Sequence, residues 1–397
     1  MSTKYAIIVP DGAADEPIDL FDGKTALQAA HIPNLDAIAK AGRQGLVRTI
    51  PKGMPAGSDV AQMCLLGYDP RQYYTGRAPL EAAAQGIRLG PEDWVFRCNM
   101  VTFADGQMAD HSAGHISSDE AATLLDALKE VVTHENVRFY RGVSYRHLCV
   151  ISGVDFSKVR TTPPHDILGK KASRYQPKGR GAALLREMMD QSQRLFAEHD
   201  VNRVRKDLGE NPVSSIWLWG QGQRALLDSF RRRFGLRGAA ITAVDLVRGI
   251  ARLLHFDLIE VEGATGFVDT NYAGKGHAAV RALDDYDLVF VHIEAPDEAG
   301  HAGNAEWKKH AIEQIDKYIV GPVYEALEQY ESWRILVLPD HPTPVEIRGH
   351  VGEPVPFVMA GTGVHGVLEL PFCEESAHET GFYIEQGHEL MEYFLKA

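Results

Sequence analysis

The sequence predicts an α/β protein: a mostly parallel sheet flanked by helices, with a smaller α+β unit inserted into it. Three observations carry this. Short apolar runs of strand length end in polar or glycine residues: YAIIVP (5–10), SSIWLWG (214–220), AAITAV (239–244), DLVFVHI (287–293), RILVLP (334–339) and VPFVMAG (355–361). Helical patterns lie between them, such as AALLREMMDQSQRLFAEH (182–199) and AEWKKHAIEQIDKYIVGPVYEALEQY (305–330). Strands alternating with helices build parallel sheets. The alternation breaks from about Trp94 to about His165, where FRCNMVTF, a helix over 118–132, VRFYRGV and RHLCVISG follow one another. Residues 94–165 therefore read as the insertion, and 1–93 with 166–397 as one discontinuous core domain. The Gly/Lys/Pro/Arg-rich piece 169–181 reads as a mobile loop closing the insertion.

Composition narrows the function. The 397 residues are 45% apolar and 24% charged, which is ordinary for globular domains and excludes a disordered chain. The formal charge of −13 argues against nucleic acid or an anionic membrane surface as partner. No apolar run approaches the ~18 residues of a membrane span. The segment MSTKYAIIVPDG has no signal-peptide pattern, and the four cysteines, Cys64, Cys98, Cys149 and Cys373, form no CxxC. Reduced thiols in a cytoplasmic protein are expected.

In parallel sheets, ligands collect at the C-terminal ends of strands. Asp11 follows the first apolar run directly, although Asp there is also a common turn or cap residue. HIEAPDEAGH follows 287–293 and sets Asp297 and His301 at i, i+4, on one face if the segment is helical. A helix start with acidic residues in its first turn looks the same. Asp340-His341 ends the run 334–339, and His350 precedes the next strand. Three carboxylates and three imidazoles suit Mn²⁺, Zn²⁺ or a similar cation. Two ions roughly 4 Å apart would clamp an in-line phosphoryl displacement. Ser58 in MPAGSDVAQMCLL opens a predicted helix, where backbone N–H groups favour an anion. It could be the nucleophile, or simply the N-cap that serine so often is.

With these residues in place, the chain resembles the alkaline phosphatase superfamily, and within it the archaeal type of cofactor-independent (2,3-bisphosphoglycerate-independent) phosphoglycerate mutase. The matching pieces run in order over nearly the whole length. They include PDG (10–12), GSD (57–59), LLGYDPRQYYTGRAPLEAAAQGI (65–87), GATGFVDTNYAGK (263–275), VHIEAPDEAGHAG (291–303), DHPTP (340–344) and GHVGEPVPF (349–357). The resemblance implies an alkaline-phosphatase-like core. It implies Ser58 as the phosphorylated nucleophile, with Asp11, Ser58, Asp340 and His341 around one metal and Asp297, His301 and His350 around the other. The metals would be Mn, Zn, Co or Mg, and no 2,3-bisphosphoglycerate would be needed. The substrate would be a small phosphorylated acid, interconverted between 3- and 2-phosphoglycerate, with the insertion supplying basic residues and shutting out water.

TPPHDILGK (162–170), SIWLWGQG (215–222) and PDHPTP (339–344) are similar instead to a subgroup proposed to be homoserine kinases, which would use ATP on the same metals. A noncatalytic metal-binding protein that kept the fold is the third reading.

Weaker signals complete the survey. Arg77 in TGRAPLE is a candidate substrate contact, alongside Arg97, Arg141, Arg146 and Lys170. GKT at 23–25 lacks the upstream glycine of a Walker loop. GQGQRA (220–225) fits G-x-G-x-x-A but reads better as a polar turn between strand and helix. His111 and His115 share i, i+4 spacing and read as lid or surface residues.

Overall fold

A computed structural model describes residues 3–396, which fall into two compact units: 3–74 with 226–396, and 75–225. The first unit is built on an eight-stranded sheet. Edge to edge its strands are Tyr383–Ile384, Arg43–Val47, Val355–Gly361, Trp333–Val337, Lys4–Pro10, Leu288–Ile293, Gly238–Ile241 and Asp257–Leu258. Lys4–Pro10 lies at the centre, parallel to Leu288–Ile293 on one side and Trp333–Val337 on the other. Val355–Gly361 runs against both of its neighbours. The sheet is thus mostly parallel. Its central strands are continuous apolar runs because both faces are covered.

The helical pattern over 305–330 resolves into three pieces: a helix Ala305–Ile315, a π turn Asp316–Val320 and a helix Gly321–Leu327. Pro322 explains the break, since it has no N–H to give to the carbonyl four residues back, that of Tyr318. The helix Tyr272–Asp285 packs against that carbonyl at Gly276, where a Cβ would lie 1.9 Å from Tyr318 O. The buried Asp316 carboxylate accepts the Leu35 N–H at 2.7 Å and the Asn34 N–H at 3.2 Å, capping the helix Pro33–Ala41.

The second unit is an antiparallel sheet. Asp93–Ala104 pairs with Gln107–Asp110 and Arg146–Ser152 along one edge and with Ser215–Gln223 along the other; Val137–Tyr140 extends it beyond Arg146–Ser152. Side chains alternate between two faces. Phe96, Cys98, Cys149 and Ile151 face the helices Ser118–Val131 and Ala182–Glu198, while Val95, Leu148 and Val150 face Arg77–Ala84.

This unit is wider than the expected 94–165. Residues 75–93 and 166–225, read from the sequence as core domain, belong to it. The physical reason is the run 214–220, which joins Asp93–Ala104 rather than the larger sheet and brings the helix Ala182–Glu198 with it. The piece 169–181 lies within the unit rather than closing it, with the Gly169 N–H donating to Met108 O and the Ala172 N–H to Gly106 O. GQGQ continues the strand through a bulge, and no helix begins until Phe230, so neither a dinucleotide turn nor a strand–helix turn is present there.

His147, buried in Arg146–Ser152, accepts the Gly142 N–H on Nδ1 at 3.0 Å. Burial pushes its pKa down to about 4. The unfolded chain protonates near 6.5, so the native state binds fewer protons below that pH. Stability is full above pH ~6.5 and falls by about 3 kcal/mol on acidification to pH ~4 through this group. His147→Gln is expected to flatten the acid limb of the unfolding midpoint against pH. A limb as steep as that of the wild type would refute the assignment.

Candidate active site

The C-terminal ends of the three central strands meet at one sheet edge. Asp11 follows Lys4–Pro10, and its N–H donates to Ile293 O at 2.9 Å. Asp340 and His341 follow Trp333–Val337. Leu288–Ile293 leads into the helix Ala295–His301, which carries Asp297 and His301 one turn apart. Among the described residues three groups have metal-ligand composition, Asp11, Asp340 and His341; Asp297, His301 and His350; and Asp11, His292 and Glu294, the ligand atoms of each lying within 4.8 Å of one another.

In the first group all three side chains are fully buried. His341 Nε2 lies 3.6 Å from Asp11 Oδ1 and 3.4 Å from Asp340 Oδ2. Asp340 is oriented by the Gly12 N–H at 3.1 Å and by the Gln62 amide at 3.0 Å. In the second group the His301 and His350 Nε2 atoms approach to 2.9 Å, and Asp297 lies 3.3 and 3.5 Å from them. The His301 Nδ1–H donates to Arg348 O at 3.1 Å, which turns Nε2 toward the cluster. Thr343 Oγ1 donates to Asp297 Oδ1 at 2.5 Å.

Ser58 is the first residue of the helix Ser58–Leu65, and Gly57 holds the N-cap position. The serine hydroxyl therefore does not cap the helix. It lies 3.2 Å from His341 Nε2.

The electrostatics are those of a cation site. Burial, and then the neighbouring carboxylates led by Asp340, push Asp11 well above the usual carboxylate range. Burial would also raise Asp297, but hydrogen bonds from His301 and His350 outweigh it and hold Asp297 well below that range. The same bond raises His301 to about 9. Burial lowers His341. Asp11 Oδ1 is buried with no hydrogen-bond partner.

Gly12 shapes the centre. Its φ of +62° is left-handed, and a Cβ there would sit 2.7 Å from both Asp297 Oδ1 and Thr343 Oγ1. Gly12→Ala is expected to cost about 2–3 kcal/mol, combining backbone strain with this clash. Thermal unfolding measures it, and an unchanged midpoint would contradict it.

The seven predicted residues Asp11, Ser58, Asp297, His301, Asp340, His341 and His350 all lie in the first unit. Arg77 lies in the second, as the first residue of Arg77–Ala84, its Nε 4.0 Å from Glu81. Arg97 holds the same carboxylate at 2.9 Å and stacks on Trp219 at 4.3 Å. Arg141 pairs with Asp126, and Lys170 donates to Asp166 O. His111 and His115 face the Tyr145 ring and belong to none of the candidate metal groups among the described residues.

Four polar residues escaped the sequence reading: Gln62, His292, Glu294 and Thr343. For His292 a signal existed, a single imidazole inside the apolar run DLVFVHI, where it is fully buried.

Comparison with known proteins agrees in kind. The family model described as 2,3-bisphosphoglycerate-independent phosphoglycerate mutase matches residues 39–202. A protein of that name from Methanothrix thermoacetophila is 50% identical over 389 residues, 98% of each chain. Another from Methanosarcina mazei is 50% identical over 396 residues, covering 99% of this chain and all of the relative. The solved structure of a cofactor-independent phosphoglycerate mutase from Thermoplasma acidophilum is 29% identical, with a TM-score of 0.67 over 100% of this chain and 99% of the other.

Proposed function

The chain belongs to the 2,3-bisphosphoglycerate-independent phosphoglycerate mutase family, and from that premise we propose that it interconverts 3- and 2-phosphoglycerate through a phosphorylated Ser58. The observation that carries the proposal is the Ser58 hydroxyl, uncommitted to its helix and 3.2 Å from His341 beside the Asp11–Asp340 pair.

The donor sets fit two divalent ions. Asp11, Asp340, His341 and Ser58 would hold one, and Asp297, His301 and His350 the other. The buried, unpartnered Asp11 Oδ1 supports the fit, because a cation is what that atom lacks. Mixed oxygen and imidazole donors accept Mn, Zn, Co or Mg. Bound ions would supply Lewis-acid neutralisation of the phosphoryl oxygens and lower the pKa of the serine hydroxyl.

The chain's own residues do the rest. Ser58 Oγ bonds to phosphorus as the ester P–O bond to glycerate breaks, and the departing glycerate oxygen takes up the proton that the serine gave up. Glycerate then presents its other hydroxyl, whose oxygen takes the phosphoryl group and returns a proton to Ser58. Of the two arginines near Glu81, Arg77 is the less committed, which favours it as a contact for the substrate carboxylate. No 2,3-bisphosphoglycerate enters this cycle. A small soluble substrate fits a cytoplasmic enzyme, and no helix of the described residues is long and apolar enough to cross a membrane.

Phosphorus NMR tests the reading on protein with Mn²⁺, Mg²⁺, 3-phosphoglycerate, ATP and homoserine in one sample. Growth of 2-phosphoglycerate with ATP intact is expected. ATP loss matched by homoserine phosphate would replace the mutase by a kinase, and steady release of inorganic phosphate would replace it by a phosphatase.

A further inference from the structure

The two oxygens of Asp11 have different surroundings. Oδ1 faces His341 and is buried without a hydrogen-bond partner. Oδ2 lies 2.7 Å from His292 Nε2, in a pair with no solvent exposure on either side. As a metal ligand Asp11 is ionised and only accepts, so the proton of this bond then sits on Nε2. The other ring nitrogen, Nδ1, lies 3.1 Å from Thr242 Oγ1. A neutral ring protonated on Nε2 accepts at Nδ1, so the Thr242 hydroxyl donates there while its oxygen accepts the Val244 N–H at 3.2 Å. The chain Thr242–His292–Asp11 thus has a consistent direction of donation from end to end.

Sheet register explains why the three meet. His292 is paired with Val9, two residues before Asp11 and on the same face. Ile241, just before Thr242, is paired with Val291, just before His292. Three adjacent parallel strands therefore present the three side chains in a row across their C-terminal ends.

We infer that His292 is a positioning residue: held by Thr242, it commits Asp11 Oδ2 and so aims Oδ1 alone at the Asp340–His341 group. A ligating carboxylate held on its far oxygen has one orientation instead of several, and such supporting bonds are commonly worth 10–100-fold in metal affinity. Asp11, His292 and Glu294 also have the composition of a cation site. With its Nε2 proton donated to Asp11, His292 has no lone pair there to offer an ion. Glu294 Oε2, at 3.6 Å from Nε2, is beyond hydrogen-bond distance.

The inference rests on the proposed reading of Asp11 as a metal ligand. Calorimetric titration of metal-free protein with Mn²⁺ tests both. The wild type is expected to bind two ions. His292→Leu should weaken one binding step about 10–100-fold and leave the other unchanged. His292→Gln, whose amide N–H can reach the Nε2 position, should recover most of the loss, a rescue that simple packing does not predict. Thr242→Val should weaken the same step several-fold, and with His292→Gln it carries the test if His292→Leu fails to fold. Wild-type affinity in His292→Leu, or no recovery in His292→Gln, would overturn the positioning role while leaving the two-metal reading intact. Three ions in the wild type and two in His292→Leu would make His292 a ligand and overturn it as well. No ion bound by the wild type would overturn the metal reading and this inference together.

Discussion

Replacing Ser58 with alanine is expected to lower mutase turnover by about 10⁴-fold or more, with no loss of stability. The first expectation follows from the proposed role of the Ser58 hydroxyl, 3.2 Å from His341 Nε2. The second follows from the helix geometry. Ser58 is inside the helix, its hydroxyl caps nothing, and Gly57 occupies the cap position. Alanine is the better helix former by a few tenths of a kcal/mol, so the unfolding midpoint should hold or rise slightly. Mass spectrometry on protein quenched during turnover should find phosphate on the Ser58 peptide of the wild type and none on the variant. Turnover retained in Ser58→Ala would end the phosphoserine proposal. Loss of turnover with a collapsed midpoint would show that the residue is structural instead.

Asp297→Asn is the second large effect. Asp297 faces both His301 and His350, and it also takes the Thr343 hydrogen bond. The amide removes the charge and offers one acceptor atom where the carboxylate offers two. Loss of one of two bound ions, measured by elemental analysis, is expected, with turnover down about 10³-fold or more. A second readout comes from metal-free protein. The pKa of His301 is raised to about 9 from 6.5, first by its bond to Asp297. A raised folded pKa stabilises fully below pH ~6.5 and loses that contribution as pH rises through about 9. In Asp297→Asn this slope should vanish and the His301 NMR titration should fall toward 6.5. A His301 titration still near 9 would assign the shift to another group.

Much of this centre is legible in the sequence because strand ends are. Asp11, Asp297 and Asp340 each follow an apolar run, and parallel neighbours bring such ends to one edge. Register is not legible in the same way. His292 lies inside its strand, and only the pairing with Lys4–Pro10 reveals that it faces Asp11. Gln62 and Thr343 are ordinary polar residues until the fold places them against Asp340 and Asp297.

The limits of the second unit were misplaced for a related reason. An apolar run such as SSIWLWG declares a strand but not its partner. Its pairing with Asp93–Ala104 places the 60 residues 166–225 in the second unit. Likewise, apolar periodicity carries through 305–330 without a gap, and only Pro322 hints at the π turn.

The chain order of the sheet has a consequence for synthesis. Lys4–Pro10 precedes both of its partners, at 288–293 and 333–337, by hundreds of residues. At about 5–20 residues per second, some 280 residues separate the strand from its nearer partner by roughly 15–55 s of translation. The contiguous segment 75–225 finds all its strand partners within itself and can mature during that wait. The nascent chain thus carries one finished unit and two unpaired strands, Lys4–Pro10 and Arg43–Val47, the latter with partners at 355–359 and 383–384. Both strands are accordingly segments for which a ribosome-associated chaperone has a long opportunity.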